Sequence, residues 1–586
     1  VSRIAAAHWR ALAAAVLLTS GATACGGRPS AAMAPRTVAG PLVLSVMTTG
    51  DLHGHVEALP WLGGYVHALR EARSRDGGGV LLVDAGDMFQ GTLESNLSEG
   101  SSVVRAYNAL GYAAAAIGNH EFDFGPEGPN AVPRTPGDNA RGAIEARGRE
   151  AGFPLLAANV RGAGGDPWST ANIKPSALVE AAGVTIGLIG VTTANTPSST
   201  DSRNLVGLDF TPLAAAIVRE ATALRAEGAT IVVVLAHAGA ACKAFDQPDD
   251  LSSCGAKQEI FDVARALPPG LVDAIAAGHT HQAVAHRVNG IPIVSSYAEG
   301  VAFGRIDLVV DRQTKRTREA RIYPPTHVCA NAARRASATA GPDACSPTPY
   351  EGRAVAADER VADLLAPAMR GAAAVRHRPL GVAVTAPFNN EGRTESALGN
   401  LVVDLMRLAR PTADVALYNW GGLRASIPPG PLTYGRLYEL IPFDNAFASL
   451  QLTVEDFGRA IVRSLERGYV HSFAGVRVEV RCDGGAPQAT VSRAGGERLA
   501  PDTPLTVVIT DFLASGGDGI FEGIPGERPI EPGPPMRDIL AETLTARGGT
   551  LSSDDPAFFD PAHRRLVFPG TLPLRCPDTK AVTPAR

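Results

Sequence analysis

Five times between residues 41 and 282, a continuous apolar, β-rich run stops at a short cluster of glycines and polar side chains. The runs are PLVLSVM before TTGDLHGH, GVLLVDA before GDMFQG, AAAAI before GNHEFDFG, TIVVVLA before HAG, and LVDAIAA before GHTHQ. Helix-compatible stretches separate them, and two further runs, LLAANV and VTIGLIGV, predict strands without polar ends. Strands this apolar are covered on both faces, so the repeated device predicts a layered α/β domain over residues 41–325. Polar groups at the carboxyl ends of such strands are where function collects.

The clusters supply Asp51 and His53, Asp87, Asn119 with His120 and Asp123, His237, and His279 with His281. Unpartnered polar groups are costly to bury. Carboxylates, imidazoles and one amide grouped in this way suit divalent cations of intermediate hardness. Asp51 and His53 are two residues apart, as are His279 and His281, so each pair can face one side of an extended strand end. Asp87, with two carboxylate oxygens, can bridge two cations. HEFD begins like a zincin HExxH motif, but Phe124 stands where the second histidine is required.

Taken in order, these blocks resemble those of the calcineurin-like metallophosphoesterases: D-x-H, G-D, G-N-H-[DE], H and G-H-x-[HQ]. The resemblance implies an αββα sandwich holding two divalent ions, with zinc, manganese, cobalt, iron and magnesium left undistinguished. It implies one metal site from Asp51, His53, Asp87 and His281, and a second from Asp87, Asn119, His237 and His279. It also makes His120, oriented by Asp123, the catalytic group that reaches the phosphoryl oxygens, and Glu121 a supporting residue.

The second half mixes strands (LGVAVTA, DVALYN, PLTVVIT) with helices (ESALGNLVVDLMRLAR, VEDFGRAIVRSLERG) in an α+β domain over 376–570. Residues 326–375 form an insertion followed by an interdomain helix; Asp358 is its expected N-cap, and Pro367 is expected to kink or shorten it. The segments ESALGNLVVDLM, YNWGGLRASIPPGPLTYGRLYELIPFDNAF and DFLASGGDGI resemble the C-terminal domain of the 5′-nucleotidase family, which includes bacterial UDP-sugar hydrolases. The family resemblance implies hydrolysis of nucleoside 5′-phosphates. The other readings are a UDP-sugar or dinucleotide pyrophosphatase, a 2′,3′-cyclic nucleotide phosphodiesterase, a thiosulfohydrolase, or a catalytically silent nucleotide-binding lipoprotein. In this domain Phe443 and Phe512 are flat apolar groups able to sandwich a base, Asp518 can accept from ribose hydroxyls, and Arg424 and Asn419 are polar contacts for phosphate or ribose. Arg393 stands one position after the arginine usual in the family and is the further phosphate contact.

A net charge of −5 over 586 residues supplies no basic field for nucleic acid or anionic lipid. The N-terminal stretch reads as a signal peptide: Arg3 and Arg10 precede the apolar run ALAAAVLLTSGATA, and Cys25 follows as in a bacterial lipobox. A lipid on Cys25 would be the chain's membrane attachment, placing it in the periplasm or on the cell surface; without it the protein would be secreted. Setting Cys25 aside from the seven cysteines leaves six, an even number that suits an oxidising compartment. Pairing sequence neighbours predicts 242 with 254, 329 with 345, and 482 with 576.

Overall fold

The computed structural model describes residues 41–256, 258–329, 345–391 and 394–577. The signal peptide, Cys25 and Arg393 fall outside the described residues. From Pro41 onward the chain forms one compact unit.

The N-terminal lobe is built on two sheets. Seven strands run in the order Thr317–His327, Ala302–Val310, Leu42–Thr49, Gly79–Asp84, Ala114–Ala116, Leu155–Leu156 and Ile173–Lys174. Six more run Ala283–Val288, Ile291–Ser296, Ala274–Ala277, Ile231–His237, Val184–Thr192 and Ser176–Ala181. All five strands that end in polar clusters have parallel neighbours. Side chains alternate between two destinations. Ile231, Val233 and Leu235 join Leu44, Val46, Leu81 and Val83 in the core between the sheets. Val232, Val234 and Ala236 face the other way, into the core shared with Ile217, Leu224, Ile260 and Phe261 of the helices Leu213–Ala226 and Glu259–Ala266. On the outer face of the first sheet, Met47, Leu82 and Ala115 pack with Tyr65, Val66 and Tyr107 of the helices Leu59–Asp76 and Ser101–Leu110. Period-two alternation between two apolar layers is what makes each run continuously apolar. The expected αββα sandwich is the fold of this lobe.

LLAANV is not one strand. Only Leu155–Leu156 and Val160–Arg161 are extended. Between them Ala157 N–H donates to the Lys174 carbonyl in one sheet and Ala158 N–H to the Gly190 carbonyl in the other, so the chain crosses from sheet to sheet.

The C-terminal lobe carries sheets of three, four and three strands with the helices Ala397–Ala409, Val454–Arg467 and Met536–Arg547. The helix Glu359–Arg376 connects the lobes, burying Val361 and Leu365 in the N-terminal core and Ala372 in the C-terminal one. Asp358 caps it by accepting from Val361 N–H. Pro367 neither stops nor shortens it. Pro367 and Asp363, whose carbonyl loses its partner, both lie on the exposed face, where water replaces the missing hydrogen bond. At its end Arg376 pairs with Glu94 of one lobe at 2.7 Å and with Glu439 of the other.

The three disulfides are Cys242–Cys254, Cys329–Cys345 and Cys482–Cys576, the neighbour pairing expected from sequence.

Candidate active site

The polar clusters meet at one end of the sandwich. The first two loops zip together through their backbones: Asp51 N–H donates to Gly86 O at 2.8 Å, and His53 N–H to Asp87 O at 3.0 Å. In this arrangement Asp51, His53, Asp87, His279 and His281 all have positive φ, between 48° and 76°. Side-chain-bearing residues in that region cost of order 1–3 kcal/mol each and persist where the surroundings impose them, typically at functional sites. Gly118 is required by contact rather than by φ, since a Cβ there would lie 2.2 Å from Asp87 Oδ1.

Two groups of donor atoms result. Those of Asp51, His53 and His281 lie within 4.8 Å of one another, and so do those of Asp87, His237 and His279. Nδ1 of His53 sits 2.8 Å from the Gln90 carbonyl and Nδ1 of His237 sits 3.0 Å from the Ala85 carbonyl, so each Nδ1 carries the proton and donates it. The opposite nitrogens turn inward. His53 Nε2 is 3.0 Å from His281 Nε2 and 3.7 Å from Asp87 Oδ2. His237 Nε2 is 3.0 Å from Asn119 Oδ1, 3.1 Å from Asp87 Oδ2 and 3.2 Å from His279 Nδ1. Asp51 accepts from His279 N–H through both oxygens, at 2.8 and 2.9 Å. Lone pairs converging in a buried space require positive charge among them. The residues therefore fit divalent cations.

The electrostatics agree. Burial, reinforced by neighbouring cationic groups, lowers His53, His281 and His279, the last to about 3, holding these imidazoles in the neutral form that ligates metal. Burial pushes His237 down, but Asp87 beside it raises it to about 10. Positive charge at that nitrogen, proton or metal, is strongly favoured. Burial likewise raises the Asp51 carboxyl to about 8, a cost that a cation at its oxygens would offset.

Next to this centre, His120 Nδ1 lies 2.6 Å from Asp123 Oδ2, and Thr200 Oγ donates to Asp123 Oδ1 at 2.6 Å. His120 N–H donates to Asp87 Oδ1 at 2.9 Å. Burial lowers the His120 imidazole, but Asp123 and Asp87 more than compensate and its pKa is raised. Glu121 points inward, accepting from the backbone N–H groups of Asp87, Met88, Phe89 and Gly118.

From the other lobe, Arg424 reaches to 3.4 Å from His120 Nε2. The Phe443 ring lies 5.5 Å from the His120 ring. Asn419, Arg424, Phe443, Phe512 and Asp518 line one cavity of about 880 Å³ with Asp87, Asn119, His120, Asp123, His279 and His281. Of the substrate residues expected from sequence, only Arg393 is outside the described residues. Sequence reasoning missed Gln90, whose carbonyl fixes His53 while its Nε2 donates to Pro442 O of the other lobe at 2.9 Å. It also missed Thr200 and Trp420, the latter lining the cavity with an indole N–H that has no partner among the described residues. Gln90 and Trp420 lie inside quoted motifs and could have been weighed there; nothing in the sequence links Thr200 to Asp123.

A two-sheet sandwich with paired aspartate, histidine and asparagine donors at its strand ends defines a metallophosphoesterase domain, and the calcineurin-like phosphoesterase profile matches residues 44–283. The profile of the 5′-nucleotidase C-terminal domain matches residues 378–524. The chain therefore joins a calcineurin-like phosphoesterase domain to a 5′-nucleotidase C-terminal domain, in that order. UshA of Yersinia enterocolitica is 25% identical over 516 residues, covering 81% of this chain and 86% of its own. The 5′-nucleotidase of Vibrio cholerae is 23% identical over 525 residues, covering 81% and 85%. The endonuclease YhcR of Bacillus subtilis is 26% identical over 511 residues and 83% of this chain, yet the chain spans only 38% of that protein's length. It spans 57% of a matching cell wall protein of Listeria monocytogenes. The structure of a 5′-nucleotidase precursor from Thermus thermophilus shares the fold, with a TM-score of 0.66 at 22% identity, covering 88% of this chain and all of that one.

Proposed function

We propose that this protein is an exported two-metal phosphohydrolase that releases phosphate from nucleoside 5′-phosphates. One observation carries the reading: Asp87, Asn119, His279 and His281 of the converging donors and the His120–Asp123 pair share a single cavity with Arg424, Phe443, Phe512 and Asp518 of the other lobe. A mononucleotide has the matching parts, with a phosphate for the first group and a nucleoside for the second. The likeness to a relative named as a 5′-nucleotidase supports it.

The metal ligands in this reading are Asp51, His53, Asp87, Asn119, His237, His279 and His281, with Asp87 shared. Divalent cations held there would supply positive charge for the phosphoryl oxygens and would make water a better nucleophile at neutral pH. The chain's own groups do the rest. His120, its Nδ1–H fixed on Asp123, presents Nε2 to the phosphate position and donates to the oxygen on which charge grows. Arg424 adds N–H donors from the opposite side. Phe443 and Phe512 bind the base, Asp518 accepts from ribose hydroxyls, and Asn419 and Arg393 complete the polar contacts.

Export rests on the signal-like N-terminus, with Cys25 as lipid attachment point, and agrees with three disulfides.

Hydrolysis by the purified mature protein, read as substrate loss and product identity by chromatography, tests the reading across AMP, UMP, UDP-glucose, NAD, 2′,3′-cyclic AMP and p-nitrophenyl phosphate, with zinc, manganese, cobalt, iron and magnesium varied. Preference for AMP or UMP is the expected result. Faster turnover of UDP-glucose, NAD or the cyclic nucleotide would transfer the assignment to that activity. No turnover with any metal would leave a binding protein.

A further inference from the structure

We infer that His471 is a positioning residue for ribose recognition: it fixes the Asp518 carboxylate in the orientation that accepts from the sugar hydroxyls. The inference rests on the nucleotide reading above and adds to it a residue outside every motif quoted from the sequence.

The placement begins with a helix end. The helix Val454–Arg467 stops at Gly468, in the left-handed region with φ 90°, and Tyr469 N–H returns to the Ser464 carbonyl at 2.9 Å. This reversal lays His471 back over Ser464. The His471 side chain is only 1% exposed. Its Nδ1 lies 2.7 Å from Ser464 Oγ and its Nε2 lies 3.1 Å from Asp518 Oδ2. A carboxylate can only accept, so Nε2 carries a proton and donates it. Ser464, buried and also 2.9 Å from the Tyr469 carbonyl, holds the ring from behind.

Asp518 needs such support. It sits at φ 53° in the loop SGGDG, between Gly516 and Gly519, both also at positive φ. A loop of this composition has little intrinsic preference for one conformation. Three contacts restrain it. Arg467 Nη1 donates to the Asp518 carbonyl at 2.6 Å, the Phe512 ring lies so close over Gly517 that a Cβ there would be 2.4 Å from it, and His471 engages Oδ2. No hydrogen bond among the described residues engages Oδ1, and His471 and Asp518 both line the cavity. A site built to hydrogen-bond a hydroxyl discriminates strongly against the analogue lacking it, provided its acceptor is held in place.

The test is the ratio of kcat/KM for AMP to kcat/KM for 2′,3′-dideoxy-AMP, in the wild-type protein and in His471→Phe, His471→Gln and Ser464→Ala. Loss of folded protein cancels in the ratio, so a merely structural role leaves it unmoved. The wild-type protein is expected to favour AMP, and His471→Phe to reduce that preference by about fivefold or more, on the scale set by hydroxyl-recognising sites. His471→Gln, which keeps an N–H donor, retains more of it. Ser464→Ala falls between. A wild-type ratio near one overturns the ribose reading and this inference with it. A large wild-type ratio that persists in both His471→Phe and Ser464→Ala overturns this inference alone.

Discussion

His237 Nε2 and Asn119 Oδ1 lie 3.0 Å apart, with Asp87 Oδ2 at 3.1 Å from the same nitrogen. The other ring nitrogen is engaged by the Ala85 carbonyl, so three acceptors meet at one buried point unless a proton or a metal ion joins them. That relationship separates the residues that hold charge at the centre from those that use it.

Asp87 contacts the donors of both groups, whereas His120 touches Asp87 only through its backbone N–H. Asp87→Ala is expected to lose most bound metal and hydrolysis together. His120→Ala should keep its metal while turnover falls by roughly two or more orders of magnitude. Elemental analysis beside kinetics distinguishes them, and metal loss in His120→Ala equal to that in Asp87→Ala would refute the division.

Glu121 accepts four backbone N–H groups, three of them from the loop that carries Asp87. Glu121→Gln replaces one acceptor oxygen by an NH2 group facing those donors. Its metal Kd should rise by about 10–100-fold, as for other groups that orient ligands. Calorimetric titration with zinc or manganese measures this. A lower melting temperature with unchanged Kd would make Glu121 purely structural.

Phe443 and Phe512 line the cavity with partly exposed rings. Each change to alanine should weaken AMP binding by about 1–3 kcal/mol, the range for one base on one aromatic ring. Hydrolysis of p-nitrophenyl phosphate should fall much less. Equal losses in kcat/KM on both substrates would show that the rings serve packing.

Cys482–Cys576 closes 94 residues and Cys242–Cys254 closes 12. Loop-closure entropy grows as the logarithm of length, so removing the long bridge should destabilise by about 2 kcal/mol more than removing the short one. Paired Cys→Ser variants in denaturant titrations test the difference, and mass spectrometry of unreduced protein should find all three bridges. Several alkylatable thiols in native protein would contradict the pairing.

The sequence alone carried the layered α/β fold, because continuous apolar runs such as TIVVVLA are what a strand between two apolar layers needs. It also carried the inventory of candidate ligands, since Asp51, His53, Asp87, Asn119, His237, His279 and His281 each end such a run. Local rules reached the Asp358 cap, while Pro367 sat harmlessly in its helix because only exposure, a tertiary property, decides whether water can take the lost hydrogen bond. Tertiary structure decided everything that depends on distance across the chain. The positive φ of Asp51, His53 and Asp87 occurs where two loops zip together, an arrangement their residue types do not carry. Thr200 meets Asp123 across 77 residues, Gln90 reaches Pro442 across 352, and His471 reaches Asp518 across 47. Periodicity and motif spacing record what neighbours along the chain impose on one another; hydrogen bonds between distant loops leave no such pattern, and they appear only when the folded backbone brings the loops together.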